Sequence, residues 1–260
     1  MCYDVQYLTR KQEDYMNRFA NIGTDFSLLQ DIGTGKVKNE KLQPVYHTMG
    51  FEHREVPVIT NRHPERLSFY TWGLIPFWAK DAKAAGQISN KTLNARGEEL
   101  FDKPSFRAAA KSRRCLVVID GFFEHHHKGA STFPYHIEMK DRSPLALAGL
   151  WETWRSEEED IERDTFSIVT TRGNELLADI HNNPKMSGPR MPVIVPPELD
   201  ETWLQEDALS EKDWEKILTP FPSDKLEAYT VPRLRGKDAI GNRPEAVKFF
   251  DYPELRSLFD

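Results

Sequence analysis

Apolar positions along the chain fall into short runs separated by Gly, Pro and charged clusters, and two different periods run through them. Tyr15, Met16 and Phe19 recur at helical intervals and predict a short amphipathic helix over residues 10–19. Residues 56–60 and 67–72 are rich in β-branched and aromatic side chains and predict strands, followed by a Gly- and Pro-punctuated loop through Trp78. Further strands are predicted at residues 115–119, 133–138, 145–150, 166–170, 191–195 and 226–231. Helices are predicted near residues 97–110, 174–180, 197–205 and 211–218, and residues 156–164 read as a charged hairpin loop. No repeat, low-complexity tract or linker divides the chain. Many short strands with few long helices between them predict an α+β fold. The expected architecture is a single domain with a mainly antiparallel, barrel-like β core and peripheral helices.

The length of 260 residues supports a full core, and 39% apolar with 29% charged residues excludes a disordered or fibrous chain. The N-terminus lacks a basic stretch followed by an apolar one, and no run approaches a membrane span. A cytoplasmic protein without a membrane partner is expected, with Cys2 and Cys115 as free thiols. The net charge of −6 argues against a strongly basic, non-specific nucleic-acid binder, so any such contact must come from a local groove of Arg and Lys. Acid is concentrated elsewhere, at residues 157–160 and 198–213.

Four groups of residues carry possible chemistry. Cys2 is one of only two cysteines, and near a frayed terminus it reads first as an inert thiol. A small residue after Met, however, permits removal of Met1, leaving an α-amine of pKa about 7.7–8 beside a thiol of pKa about 8.5. Such an aminothiol condenses with an aldehyde to an imine and then closes a thiazolidine ring, both nucleophiles being held together by one residue. Alternatively, the amine serves as base while the thiol attacks an amide. In Asn94-Ala95-Arg96-Gly97-Glu98, Asn94 and Arg96 suit either a polar anchor with a phosphate fork or an ordinary helix cap.

The apolar run at residues 115–119 leads into Asp120-Gly121-Phe122-Phe123-Glu124-His125. A carboxylate placed after two aromatics suits acid/base work, although a solvated Glu at a strand end has the same sequence. His125-His126-His127 lacks companions at metal-ligand spacing, and no metal or cofactor is expected. Finally, Thr170-Thr171-Arg172-Gly173-Asn174 precedes His181 and then Arg190-Met191-Pro192-Val193-Ile194. His181 fits a proton shuttle, or a structural His after a helix.

Taken in this order, and with Trp72-Gly73-Leu74-Ile75-Pro76-Phe77-Trp78, these groups closely resemble the SOS-response-associated peptidase (SRAP) family, also called abasic-site processing proteins. The resemblance runs from Cys2 to about Val231 and rests on the N-terminal Cys, W-G-L-I-P-x-W, N-A-R-x-E, D-G-F-F-E and T-T…H…R-M-P-V-I segments. It implies a domain over residues 1–235, with residues 236–260 as an extension packed on it. It also implies a monomer that binds single-stranded DNA containing abasic sites and associates with the nucleoid when that DNA is damaged.

By the same resemblance, Cys2 forms a thiazolidine with the ring-opened sugar of the lesion, Asn94 positions its amine, Glu124 is the acid/base, and His181 assists ring opening and reversal. Arg96 and Arg190 hold flanking phosphates, with Trp72, His125 and Thr171 as further DNA contacts. Two other readings stay open: an N-terminal-nucleophile thiol peptidase or amidohydrolase, including autoproteolysis of Met1, and a non-catalytic single-stranded DNA binding module. The chain departs from the family pattern at four places. Asp4 stands where Arg is common, His125 where Trp is common, residues 182–189 lengthen the spacing to Arg190, and His47 lies in a stretch that usually contains Asn.

Overall fold

The computed structural model describes residues 2–32, 39–156, 160–184 and 187–256. Its strands are β1 (Asp4–Tyr7), β2 (Val45–Met49), β3 (Glu55–Thr60), β4 (His63–Trp72), β5 (Asn94–Arg96), β6 (Arg114–Ile119), β7 (Gly121–Lys128), β8 (Ser131–Met139), β9 (Leu145–Ser156), β10 (Ile161–Arg172), β11 (Arg190–Pro192) and β12 (Leu226–Thr230). The helices, all short, are α1 (Gln12–Arg18), α2 (Ala82–Ser89), α3 (Arg107–Ser112), α4 (Glu175–Ile180), α5 (Asp200–Leu204), α6 (Glu211–Leu218) and α7 (Pro253–Arg256).

An apolar run without alternation makes a strand buried on both faces, and the run at 115–119 does so: every residue of β6 is buried. It pairs with β3 on one side and β9 on the other. The circuit β3–β4–β10–β9–β6 closes on itself as a five-strand barrel, antiparallel except where β4 and β10 run parallel. β5 and β11 are added to β10, the first parallel and the second antiparallel. The barrel is too tight for a side chain at Gly149, where a Cβ would lie 2.7 Å from the Cys115 sulfur. The other five strands form an antiparallel sheet in the order β12-β8-β7-β1-β2. The α+β, barrel-centred architecture expected from the pattern is the one observed.

Two expectations are corrected. The helix predicted over residues 97–110 is a 3₁₀ turn at Gly97–Glu99 followed later by α3. Pro104 intervenes, and proline neither donates to a helix nor lets the preceding residue adopt helical backbone easily. The charged loop at 156–164 is largely strand, since β9 and β10 pair as far as Ser156 opposite Ile161. The acidic residues 157–159 lie outside the described residues.

Arg114 is wholly buried, and its bonds among the described residues are to carbonyls rather than to a carboxylate. Its guanidinium donates to the carbonyls of Trp203 (2.9 Å), Lys111 (3.0 Å), Asp207 (2.8 Å) and Gln205. Two of these, on Lys111 and Trp203, are carbonyls at the ends of α3 and α5 that the helices leave unsatisfied. After β12 the chain returns across β7, where Val231, Leu234 and Ala246 share a small apolar cluster with Phe123. Tyr252 then donates from its hydroxyl to the Val231 carbonyl at 2.9 Å. No helix among the described residues is long and apolar enough to cross a membrane.

Candidate active site

Cys2 is positioned by the strand that follows it. β1 is a central strand, bonded on one side to β2 and on the other to β7, with Asp4 opposite Phe123 and Gln6 opposite Gly121. The chain from Asp4 onward, two residues after Cys2, is therefore fixed on both sides by a hydrogen-bonded ladder. Cys2 is fully buried, with its sulfur 3.8 Å from the Asp4 carbonyl. Asn94, the first residue of β5, donates from Nδ2 to the Cys2 carbonyl at 2.8 Å and so ties the terminus to the barrel. The Asn94 Oδ1 is buried and has no hydrogen-bond partner among the described residues. Burial, reinforced by the negative charge of Glu124, pushes the Cys2 thiol far up, so the thiol form dominates at neutral pH.

Glu124 lies on β7, directly after Phe122 and Phe123, and is buried with its Oε2 2.6 Å from His181 Nδ1. His181 ends α4, its backbone N–H donating to the Leu177 carbonyl at 2.8 Å while Asn174 caps the other end. Gly121 is needed for this approach of strands, because a Cβ there would meet His136 Nε2 at 2.3 Å. The order apolar strand, glycine, aromatic pair, carboxylate thus delivers a buried Glu to the end of a helix that presents a His.

Asp4, two residues from Cys2, is also buried. It accepts from His47 Nε2 at 2.9 Å on one oxygen and from Arg235 Nη2 at 2.5 Å on the other. Burial alone would raise its pKa, but the His47 hydrogen bond and the Arg235 charge outweigh it and hold the carboxyl below its ordinary value. A cleft of about 260 Å³ opens over this wall, lined among others by Tyr3, Asp4, Glu124, His125, His181 and Arg235. A second, of about 420 Å³, lies on the other side of Tyr3 and is edged by Lys91, Asn94, Arg96 and Lys103. Tyr3 borders both and stacks on Phe51 with ring centroids 5.4 Å apart.

The residues singled out in the sequence therefore separate into two sets. Cys2, Asn94, Glu124 and His181 converge around the N-terminus, and Arg96 and His125 line the two clefts. Trp72, Thr171 and Arg190 do not reach the clefts as free side chains. Trp72 is 1% exposed, donates to the Leu93 carbonyl at 2.8 Å and stacks on Phe166, so no base can stack on it. Thr171 is buried and spends its hydroxyl on the Leu218 carbonyl at 2.6 Å. Arg190 forms a two-pronged pair with Glu98, 2.9 Å on each arm, and also donates to the Thr170 carbonyl. Its fork is already filled by the protein. Arg96 pairs with Glu99 at 3.1 Å but remains 40% exposed. Tyr3 and Arg235 went unnoticed in the sequence. Tyr3 carried a signal, its place beside Cys2, whereas nothing local marks Arg235.

Residues 1–237 match the family profile described as SOS response associated peptidase (SRAP). The chain belongs to the SRAP family. Among curated SRAP relatives, the abasic site processing protein YoqW of Bacillus subtilis (strain 168) is 37% identical over 192 residues, covering 74% of this chain and 80% of that protein. The abasic site processing protein HMCES of Gallus gallus is 27% identical over 169 residues, or 57% of this chain and 48% of that one. A crystal structure of a protein from Bacteroides thetaiotaomicron, 31% identical, superposes with a TM-score of 0.78 over 96% of this chain and 100% of its own. Another, from Bordetella bronchiseptica and 26% identical, gives 0.70 over 88% and 99%.

Proposed function

We propose that this SRAP chain processes abasic sites in single-stranded DNA, and that Cys2, once Met1 is removed, captures the lesion's aldehyde as a thiazolidine. The names of the relatives support the first part. The observation that carries the second is the contact of Asn94 with Cys2. One end of that amide holds the Cys2 carbonyl at 2.8 Å, while its buried oxygen has no donor among the described residues. A buried acceptor left unsatisfied costs about 1–3 kcal/mol. The α-amine freed by loss of Met1 supplies the donor and is thereby aimed.

The chemistry follows from the neighbours. The lesion exists mostly as a closed hemiacetal, and the His181–Glu124 pair releases the aldehyde by delivering a proton to the ring oxygen while taking up the one on the anomeric hydroxyl. The Cys2 amine adds to the aldehyde carbon to form a carbinolamine. Glu124 donates a proton to the departing hydroxyl, water leaves, and an imine remains. The Cys2 sulfur then adds to the imine carbon, its proton passing by way of Glu124 to the nitrogen. One water is lost overall, and carbon–nitrogen and carbon–sulfur bonds replace the carbonyl. A thiol held protonated by burial favours this sequence, with the amine attacking first, over direct thiolate attack on an amide.

Intact mass spectrometry tests the reading. Protein lacking Met1, incubated with abasic single-stranded DNA and digested to the sugar, should gain the mass of the ring-opened deoxyribose less one water. Absence of that adduct at low salt, with Met1 shown to be gone, would sink the proposal.

A further inference from the structure

We infer that Arg235 binds a backbone phosphodiester of single-stranded DNA beside the captured sugar, held in place for that task by Asp4. This rests on reading the cleft as the seat of an abasic site. The guanidinium carries five donors, and Asp4 engages it through Nη2 alone. The side chain is 47% exposed and lines the same cleft as Glu124 and His181. Its anchor is two residues from Cys2, on the strand that fixes the terminus. A sugar bonded to Cys2 carries a phosphodiester on each side, and the guanidinium lines the cleft that Glu124 and His181 share, within reach of such an anion on this reading.

The surroundings make a cation necessary there. Asp4 and Glu124 are both buried carboxylates in the wall of this cleft, and a polyanion laid against them is repelled unless the local charge is reversed. The other oxygen of Asp4 is taken by His47, so the acid acts as a bracket with its two arms filled. Arg233, the other arginine of the cleft, is committed elsewhere. It donates to the Thr132 carbonyl at 3.1 Å and lies over the Phe133 and Tyr252 rings. Arg190 is closed off by Glu98. Asp4 thus holds at the cleft an arginine from 231 positions away.

The test uses the full chain and a single-stranded oligonucleotide with a tetrahydrofuran site, which has the lesion's shape and no aldehyde. Binding is measured from about 50 to 200 mM salt. Each phosphate contact to a single strand contributes about 0.7 to the slope of log affinity against log salt. Arg235→Gln should therefore weaken binding at 50 mM and lower the slope by about 0.7, so that the gap to the unaltered chain narrows about 2.6-fold by 200 mM. Arg235→Lys, which keeps the charge, should retain the slope. The double substitution Asp4→Asn with Arg235→Gln should regain part of the affinity, because the Asp4 repulsion is gone, but keep the lowered slope.

Either of two results overturns the inference: an unchanged slope in Arg235→Gln, or full recovery of binding in the double variant, which would make Arg235 only a mask for Asp4. Because this oligonucleotide cannot crosslink, the outcome is separate from that of the Cys2 chemistry. A slope change without any thiazolidine on true abasic DNA sinks the proposed reaction alone, and crosslinking with an unchanged slope sinks the Arg235 site alone.

Discussion

On one side of Tyr3 the cleft wall holds buried acids, Glu124 paired with His181 and Asp4 with His47, and a single half-exposed cation paired to Asp4, Arg235; on the other, Lys91, Arg96 and Lys103 stand around a broader recess. The difference separates two tasks. Proton transfer needs groups fixed and desolvated before the substrate arrives, because a hydrogen bond in a dry site is stronger and needs no reorganisation. Holding a strand needs exposed charges that can release counterions, and these are individually weak and sensitive to salt. Cys2 sits between the two, tied to Asn94 on one side and facing the charge of Glu124 on the other.

Three substitutions can break this division. Cys2→Ala should abolish the covalent product on abasic DNA altogether, read as loss of the heat-stable band on a denaturing gel, while binding of the tetrahydrofuran oligonucleotide survives. Glu124→Gln should slow adduct formation by about a hundredfold, the usual scale of general acid–base catalysis, in single-turnover kinetics. Arg96→Gln should act on the opposite readout, lowering the salt slope of binding by about 0.7 with a smaller effect on the rate at saturating DNA. If Glu124→Gln and Arg96→Gln damage rate and affinity in the same proportion, the two clefts do not divide the work.

The smallest effect concerns Asp4 and acid. Its carboxyl is held below the ordinary value in the folded chain, so on acidification the unfolded chain takes up the proton first. The stabilisation it brings is complete above about pH 4 and is lost as the pH falls through the lower folded-state value. Urea midpoints of the unaltered chain and Asp4→Asn should differ at about pH 5 and converge towards pH 2. Profiles that stay parallel over that range would show that Asp4 carries no such linkage.

Much of the site was legible because its chemistry is carried by residue types in a fixed order. Cys2, Asn94, Glu124 and His181 each had a bland alternative when taken singly, and the structure brings all four to one place. The barrel was legible as well, because runs such as β6 have no polar face. What failed was any judgement about exposure. Trp72, a DNA contact by the resemblance, is followed by Gly73, whose φ of +118° turns the chain sharply. The tryptophan points inward instead and leaves Phe77 and Trp78 exposed. Arg190 looked like a free fork because nothing in its own segment announces Glu98, which lies 92 residues earlier. The Asp4–Arg235 pair was beyond reach for the same reason. A local pattern reports which face of an element is apolar, and long-range ion pairs leave no trace in it.

The burial of Cys2 at the head of a central strand has a consequence for how the protein is made. An aminopeptidase must draw a chain terminus into its own active site, and Cys2, buried and fastened by Asn94 just ahead of the strand bonded to β2 and β7, leaves no loose segment behind the first residue for it to draw in. On the proposed chemistry, trimming therefore has to precede folding, while the nascent segment is still loose at the ribosome.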